Sequence, residues 1–254
     1  METVTSTDGT EIAFWRTGKG PPLVLVHGAL ADRETAWCDV VEELSRSFTI
    51  LAMERRGRGA SGEPRPHSIE IAYDDIVAVI DAAGEQVNVL GHSYGANLVL
   101  GAALRSERVR RLVLYEPQPK SKRDPEYADT LDAFIRAGDL EGFFATFFRV
   151  PPERANRLRS SPKWDEWVRF AHPTAADRRA FANYVIEPEM FQGISVPTLF
   201  LVGEKSPTPI TAISHRLAAI ISDSRTVVLP GQGHFAMNSA PDLFCAEVIP
   251  FLAA

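Results

Sequence analysis

Short apolar runs alternate along the chain with longer stretches in which apolar residues recur every three or four positions. The run Leu23-Val24-Leu25-Val26 is apolar throughout, which is typical of a strand buried on both faces of a parallel sheet. The predicted strands of the first half are residues 11–16, 23–26, 48–53, 87–90 and 111–115, and the predicted helices are 34–46, 69–83 and 94–104. This alternation predicts an α/β fold, with a mostly parallel central sheet and helices on both faces.

The alternation breaks after residue 117 and resumes near residue 195. Pro117 and Pro119 follow the fifth predicted strand, and the next segment has helical pieces and many aromatic residues but no run typical of a buried strand. Beyond it, strands are predicted at 197–202 and 226–229, and helices at 210–221 and 241–252. We therefore predict one α/β core formed by residues 1–117 and 195–254, with residues 118–194 inserted as a helical cap.

Composition and charge narrow the function classes. The chain has 27 Lys and Arg against 33 Asp and Glu, a net charge of -6, so nucleic-acid binding is not expected. The first residues lack the basic and apolar regions of a signal peptide, and no stretch has 18 uninterrupted apolar residues. We expect a cytoplasmic protein without a membrane span.

The sequence offers no pattern for a metal or a cofactor. Cys38 and Cys245 stand far apart, and no His, Cys or carboxylate cluster has the spacing of metal ligands. No glycine-rich dinucleotide motif follows the first strand. Neither a metal nor a cofactor is expected.

Gly91-His92-Ser93-Tyr94-Gly95 lies between a predicted strand and a predicted helix. In this context a G-x-S-x-G motif forms a nucleophile elbow, a sharp turn that presents the serine hydroxyl above the sheet. Gly91 and Gly95 supply the small residues that let the backbone and the following helix approach. The N-terminus of that helix favours developing negative charge. Ser93 is therefore the candidate nucleophile, and the Tyr94 N–H is a candidate oxyanion donor.

A serine nucleophile needs a histidine base, and the candidates are His27, His67, His92, His172, His215 and His234. His234 is preferred because it follows the predicted strand 226–229 through a glycine-rich loop, late in the chain. A second loop, His27-Gly28-Ala29, follows the predicted strand 23–26 and offers the Ala29 N–H as another oxyanion donor. His27 itself is expected to be a packed, hydrogen-bonded loop residue rather than a base.

Four stretches together resemble the α/β-hydrolase fold superfamily: residues 27–28, 54–61, 91–95 and 231–235. The resemblance covers the predicted core and implies a nucleophile–histidine mechanism, but relatives range from esterases and lipases to C–C hydrolases, dehalogenases, epoxide hydrolases and lyases. Relatives that open epoxides or displace halide use a carboxylate at the elbow, so Ser93 favours acyl-type chemistry. The arginines of the 54–61 stretch are assigned a structural role, tying loops together by ion pairs.

The chain differs from many members of the superfamily in the position of the acid of the expected triad. Many relatives place an aspartate after the strand that corresponds to 197–202, and Ser206 stands in that loop here. Glu116 directly follows the predicted strand 111–115, and some members of the superfamily carry their acid there. Glu116 is the preferred acid to orient His234, with Glu204 next and Asp223 third.

The leading hypothesis is hydrolysis of a carboxylic ester, or a related acyl bond, through an acyl-enzyme on Ser93. We expect a monomer or homodimer whose partner is a small hydrophobic substrate, held in a pocket beneath the aromatic cap. The expected pocket residues are His27, Leu30, Phe144, Phe147, Phe148 and Phe235.

Two other functions stay open from the sequence. One keeps the fold and changes the reaction to C–C bond hydrolysis, lactone opening or a cyclisation in secondary metabolism. The other is a protein that binds a small apolar ligand without efficient turnover, a hypothesis motivated by the missing aspartate at Ser206.

Overall fold

One sheet of eight strands runs through the computed structural model, which describes residues 1–62, 65–118 and 124–254. The described strands are β1 (Glu2–Thr5), β2 (Glu11–Gly18), β3 (Pro22–Val26), β4 (Thr49–Met53), β5 (Val87–His92), β6 (Val109–Tyr115), β7 (Thr198–Gly203) and β8 (Ser224–Leu229). Their order in the sheet is β1-β2-β4-β3-β5-β6-β7-β8. The first three strands in that order pair antiparallel, and all later neighbours are parallel. The predicted mostly parallel sheet is confirmed.

Helices cover both faces of this sheet. The described α-helices are α1 (Arg33–Trp37), α2 (Val41–Ser45), α3 (Ile69–Ala82), α4 (Tyr94–Ala103), α5 (Pro125–Ala137), α6 (Leu140–Phe148), α7 (Trp164–Phe181), α8 (Thr208–Ile220), α9 (Ala236–Ser239) and α10 (Pro241–Ala253). Short 3₁₀ helices span Gly59–Ser61, Pro152–Ser160 and Pro188–Phe191. The predicted α/β fold is therefore confirmed.

Two apolar clusters, one on each face, hold the helices against the sheet. On one face α3, α4 and α8 pack through residues such as Tyr73, Val99 and Leu217. On the other face α1, α2 and α10 pack through residues that include Trp37 and Phe244. Strands β3, β5 and β7 are buried at every position, because side chains on both faces meet helices.

Two local features differ from the sequence prediction. Strand β1 was not expected, because it is a short edge strand whose side chains are mostly exposed. The predicted helix at residues 34–46 is two short helices, α1 and α2. The Asp32 side chain caps α1 by accepting from the Glu34 and Thr35 N–H groups, which fixes where that helix begins.

The segment between β6 and β7 carries α5, α6 and α7, and residues 119–123, at the start of the predicted insertion, lie outside the described residues. These helices share an apolar cluster that includes Leu131, Phe143 and Phe170 and also takes in Leu30 from the core loop. The cluster gives this segment apolar contacts of its own as well as one with the sheet domain.

A buried ion-pair network joins α7 to the loop after β4. Asp177 of α7 accepts from Arg55 at 3.0 Å and from Arg58 at 2.6 Å, and all three side chains are almost fully buried. Arg56 of the same loop pairs with Asp75 at 2.6 Å and with Asp8 at 2.9 Å. The expectation that these arginines tie loops together is confirmed.

Candidate active site

Ser93 lies in a strained turn between β5 and α4. Its backbone has φ 56° and ψ -122°, a positive-φ conformation that non-glycine residues rarely adopt. The Ser93 N–H donates to the Tyr115 carbonyl at 2.8 Å. A Cβ at position 91 would lie 2.7 Å from the Ala96 Cα, and a Cβ at position 95 would lie 2.4 Å from the Val26 carbonyl oxygen. Only glycine fits at these two positions, so the turn requires the two glycines of the motif.

His234 and Glu116 form a hydrogen-bonded pair. His234 Nδ1 lies 2.5 Å from Glu116 Oε2. The other carboxylate oxygen, Oε1, accepts from the Gly203 N–H at 2.6 Å, and the Glu116 side chain is fully buried. With Nδ1–H donating to the carboxylate, His234 Nε2 is left as the basic nitrogen. The structure thus brings these two predicted site residues into direct contact.

The other two candidate acids lie elsewhere. Glu204 Oε2 accepts from the Gly231 N–H at 2.6 Å, so its carboxylate is bound to the backbone of the loop before His234. Asp223 immediately precedes β8, at the opposite end of that strand from the loop that carries His234. Ser206 holds the position of the expected aspartate, and its hydroxyl is buried without a hydrogen-bond partner in the described part of the chain.

Two aromatic residues hold the His234 loop against the sheet, and neither was predicted as a site residue. His92 donates from Nε2 to the His234 carbonyl at 2.8 Å, and the two rings lie 4.6 Å apart. Burial holds the pKa of His92 well below its usual value, and neighbouring His234 lowers it further, so His92 is a neutral donor. The Tyr115 hydroxyl donates to the Gly233 carbonyl and accepts from the Ala236 N–H at 3.1 Å. Their adjacency to Ser93 and Glu116 in the sequence was the one available signal.

The two candidate oxyanion donors are backbone N–H groups beside Ser93. Ala29 lines the same cavity as Ser93, and a Cβ built on neighbouring Gly28 would lie 3.1 Å from the Ser93 Cβ. Tyr94 is the first residue of α4. Neither N–H has a hydrogen-bond acceptor among the residues that the structure describes. Both remain available to an oxygen atom placed next to Ser93.

Ser93 and His234 open into a cavity of about 340 Å³. Four of the six predicted pocket residues line it: Leu30, Phe147, Phe148 and Phe235. The other residues around it are Ala29, Ala31, Thr35, Ala36, His92, Gln118, Lys163, Glu166, Trp167, Arg178, Ile210, Met237 and Asn238. The wall is therefore largely apolar, with a few charged and amide groups.

The pocket assignment of His27 and Phe144 is corrected by the structure, because neither lines this cavity. His27 is fully buried, where its Nδ1 donates to the Gly28 carbonyl at 2.9 Å and its Nε2 accepts from the Arg55 N–H at 3.2 Å. Phe144 is also fully buried and packs edge-to-face on Trp164, with ring centroids 5.3 Å apart. The His27 ring thus has hydrogen-bond partners for both of its nitrogens inside a core loop, and Phe144 packs within the helical segment between β6 and β7.

The polar cavity residues Gln118, Lys163, Glu166 and Arg178 were missed. Gln118 Nε2 lies 3.5 Å from His234 Nε2, and its backbone N–H donates to Asn97 Oδ1 at 2.7 Å. No motif marks any of the four: Glu166 and Arg178 lie on α7, Lys163 directly precedes that helix, and Gln118 follows the turn at Glu116. Their place in the site depends on how that segment packs on the core.

Across residues 1–62, 65–118 and 124–254, no group of three or more His, Cys, Asp or Glu residues could hold a metal ion. In the same ranges no helix combines the length and the apolar character needed to cross a membrane.

The model of the alpha/beta hydrolase family matches residues 23–247. The crystal structure of an alpha/beta hydrolase from Sphaerobacter thermophilus DSM 20745 is 35% identical, has a TM-score of 0.87 and covers 99% of this chain and 100% of that one. A thermophilic esterase from Thermogutta terrifontis is 25% identical, with a TM-score of 0.81 over 99% of this chain and 97% of that one. A 2-hydroxy-6-oxo-6-(2'-aminophenyl)hexa-2,4-dienoic acid hydrolase from Metapseudomonas resinovorans is 26% identical over 100% of this chain and 91% of its own length.

Proposed function

The chain belongs to the alpha/beta hydrolase family, and from this premise we propose that it is a serine hydrolase that cleaves a carboxylic ester of a small, largely apolar substrate. The observation that carries the proposal is the hydrogen-bonded pair His234–Glu116 at the cavity that also contains Ser93 on its strained turn. This is the arrangement of base, orienting acid and nucleophile that acyl transfer requires.

In the proposed reaction, His234 Nε2 takes the proton from the Ser93 hydroxyl as the oxygen attacks the ester carbonyl. The tetrahedral oxyanion is held by the Ala29 and Tyr94 N–H groups, which have no other acceptor in the described chain. The His234 imidazolium then protonates the leaving alcohol. A water molecule, deprotonated by His234, then attacks the acyl carbonyl, and the imidazolium returns that proton to the Ser93 oxygen as the acid is released.

Glu116 is the proposed orienting acid. Its contact with Nδ1 holds the tautomer that leaves Nε2 basic, and its negative charge stabilises the imidazolium that forms in each half of the reaction. Its second oxygen is bound by the Gly203 N–H, which opposes rotation of the carboxylate away from the imidazole. Glu116 thereby serves in place of an aspartate at Ser206.

The substrate is proposed to be small, because a cavity of about 340 Å³ is at the lower end of the range for small-molecule sites. Phe147, Phe148 and Trp167 come from helices α6 and α7. We propose that residues 118–194 act as a cap that supplies this apolar wall and excludes bulk water from Ser93.

A second candidate reaction is hydrolysis of a C–C bond. The relative from Metapseudomonas resinovorans is named for a dienoic acid that carries a 6-oxo group and no ester, so hydrolysis of that compound must break a C–C bond. Such a reaction also begins at a carbonyl carbon, and the same three side chains and two N–H groups can serve it. The two reactions are separated by testing a panel of esters and a 6-oxohexa-2,4-dienoic acid ketone in parallel, with the products identified by mass spectrometry.

A fluorophosphonate probe tests the acyl-enzyme mechanism. We expect one phosphonyl adduct on the wild-type protein in the intact mass, because a serine activated by its base reacts rapidly with such a probe. Ser93→Ala should give no adduct. Ser106→Ala, which changes a serine that does not line the cavity, should be labelled like the wild type.

Absence of an adduct on the wild type would contradict the acyl-enzyme mechanism and would favour a protein that binds a small apolar ligand without turnover. An adduct that survives in Ser93→Ala would show that another residue is the nucleophile. Turnover of the ketone with no turnover of any ester would favour the second reaction.

A further inference from the structure

Arg178 is a cation in the cavity wall that has no anionic partner among the described residues. It lies on α7 and lines the cavity that contains Ser93 and His234. No carboxylate of the described residues lies within 4.0 Å of it, and its buried Nε has no hydrogen-bond acceptor there. Its neighbours in the helix differ: Asp177 binds Arg55 and Arg58, and Arg179 pairs with Asp129 and Asp132 at 2.6 and 2.5 Å. Of these three, Arg178 forms no ion pair with any residue that the structure describes.

Two aromatic rings fix the position of the Arg178 guanidinium. Its Cζ lies 5.1 Å from the centroid of Phe147 and 5.8 Å from that of Tyr94. Tyr94 directly follows Ser93, and its hydroxyl donates to the Asp177 carbonyl at 3.3 Å. Ring faces attract the positive charge but do not satisfy five N–H donors in the way that oxygen atoms do. The guanidinium is therefore held in place beside the nucleophile turn with its hydrogen-bonding groups unused.

The charges around the cavity do not cancel. Lys163 and Arg178 are positive and Glu166 is negative, which leaves one net positive charge in the wall. None of the three forms an ion pair within the described part of the chain. A buried N–H group without an acceptor is unfavourable, and a bound anion of one charge would satisfy Arg178 and neutralise the wall.

We propose that Arg178 binds a carboxylate group of the substrate, so that the preferred substrate is an apolar ester that carries one free carboxylate away from the scissile bond. A planar guanidinium binds a carboxylate through two parallel hydrogen bonds, which fixes orientation as well as position. This inference rests on the proposed function and adds to it a substrate class. Arg178 acts here as a specificity-determining residue.

The test compares two nearly isosteric esters, mono-4-nitrophenyl succinate and 4-nitrophenyl levulinate, in which a methyl ketone replaces the carboxylate. The glutarate homologue and its 5-oxohexanoate counterpart allow for a different distance from Ser93. We expect the wild type to have a kcat/KM at least about tenfold higher for the carboxylate member of one pair, since a charge-assisted bidentate contact is worth that factor or more. The difference should lie mainly in KM.

Four variants test which residue causes the preference for the carboxylate ester. Arg178→Met keeps an unbranched side chain against Phe147 and Tyr94 and should remove the preference, so that the carboxylate ester and its neutral counterpart have similar kcat/KM values. Arg178→Lys should restore part of the preference. Arg169→Met, on an exposed position of the same helix outside the cavity, should behave like the wild type. Loss of the preference in Lys163→Met, with Arg178→Met unaffected, would assign it to the other cation and overturn the proposal.

A binding measurement separates failure of this inference from failure of the proposed function. Titration calorimetry with glutarate needs no turnover, and we expect binding to the wild type that Arg178→Met weakens at least about tenfold. Equal binding by the two proteins, or none by either, would overturn the Arg178 assignment even if esters are hydrolysed. Glutarate binding through Arg178 without ester hydrolysis or a phosphonyl adduct would instead contradict only the ester reaction.

Discussion

Glu116 uses each of its carboxylate oxygens for a different contact. Oε2 meets His234 and Oε1 meets the Gly203 N–H at the end of β7. Its own backbone has φ 48°, a conformation that turns the chain sharply at the end of β6. The carboxylate is thus held by contacts from the end of β7 and from the loop after β8. Under the proposed mechanism, a loop aspartate at position 206 is therefore not needed to orient the imidazole.

Glu116→Gln should lower kcat on the order of 10³-fold to 10⁴-fold, because the amide cannot stabilise the imidazolium and can favour the wrong tautomer. The measurement is steady-state hydrolysis of a 4-nitrophenyl ester at saturating substrate. KM should change little, since Glu116 does not line the cavity.

Glu204→Gln is the matched control. Its carboxylate binds the Gly231 N–H, a contact that an amide oxygen can keep, so kcat should stay within about threefold of the wild type. A larger loss of kcat in Glu204→Gln than in Glu116→Gln would reassign the acid.

At the scale of single residues, the sequence identifies those site residues that belong to a motif or directly follow a predicted strand. Ser93 is marked by the glycines of its turn and His234 by its glycine-rich loop, and Glu116 is marked by its position after a buried strand. Gln118 and Arg178 have no such mark, because their approach to the cavity depends on the packing of α7 and on the turn after Glu116. For the same reason Phe144 could not be distinguished from Phe147 in the sequence.

At the scale of elements, α7 is attached to the core by charge as well as by apolar contact. Burial raises the pKa of Asp177, but Arg55 and Arg58 outweigh that effect, so its pKa lies well below its usual value. Burial lowers the pKa of Arg58 to about 10, and the second guanidinium, Arg55, contributes to the decrease. The carboxylate therefore stays ionised and neutralises part of the positive charge of the loop after β4.

Asp177→Asn should lower the free energy of unfolding by about 3–5 kcal/mol, because it leaves two buried guanidinium groups without their counter-ion. Urea unfolding at pH 7, followed by tryptophan fluorescence, measures the change. Asp165→Asn, at an exposed position in the first turn of the same helix, should change it by less than about 0.5 kcal/mol. Equal effects of the two substitutions would mean that the network contributes no net stability.

Buried strands were the most predictable elements, because β3 and β7 are apolar at most positions and β5 carries Val87, Val89 and Leu90 directly before the G-x-S-x-G motif. Helix boundaries were predicted less well where a cap or a short turn decides them. The split between α1 and α2 depends on the Asp32 cap and on a turn at residues 38–40, and a continuous helix has a similar apolar pattern. Edge strand β1 buries almost nothing, so it carried no pattern to detect.

For the whole molecule, three histidines with buried side chains contribute to how stability responds to acid. Burial lowers the pKa of His27, His67 and His92, and for His27 the cations Arg55 and Arg58 lower it further. Above the unfolded value of about 6.5 both states are neutral and these groups contribute nothing to the pH dependence. Below it the unfolded chain takes up protons that the folded chain does not, so stability is lost as the pH falls.

We expect the free energy of unfolding to fall between pH 6.5 and pH 5, with a slope that approaches about 1.4 kcal/mol per pH unit for each of His27 and His92. Glu54, whose pKa is raised by burial, acts in the opposite direction. Urea unfolding at half-unit steps of pH measures the slope. His27→Gln should reduce the slope by the contribution of about one proton. His215→Gln, at an exposed position of α8, should leave the slope unchanged. A flat profile in this window would contradict the prediction.

The buried attachment of α7 also has a consequence for substrate access to Ser93. Lifting α7 would separate Asp177 from two guanidinium groups, whereas two aromatic side chains of the cavity wall, Phe148 and Phe235, are already 37% and 55% exposed. Rotation of these two rings costs little by comparison. We therefore expect substrates to enter the site between α6 and the loop that carries His234. Smaller side chains at positions 148 and 235 should then admit bulkier esters without lowering the free energy of unfolding.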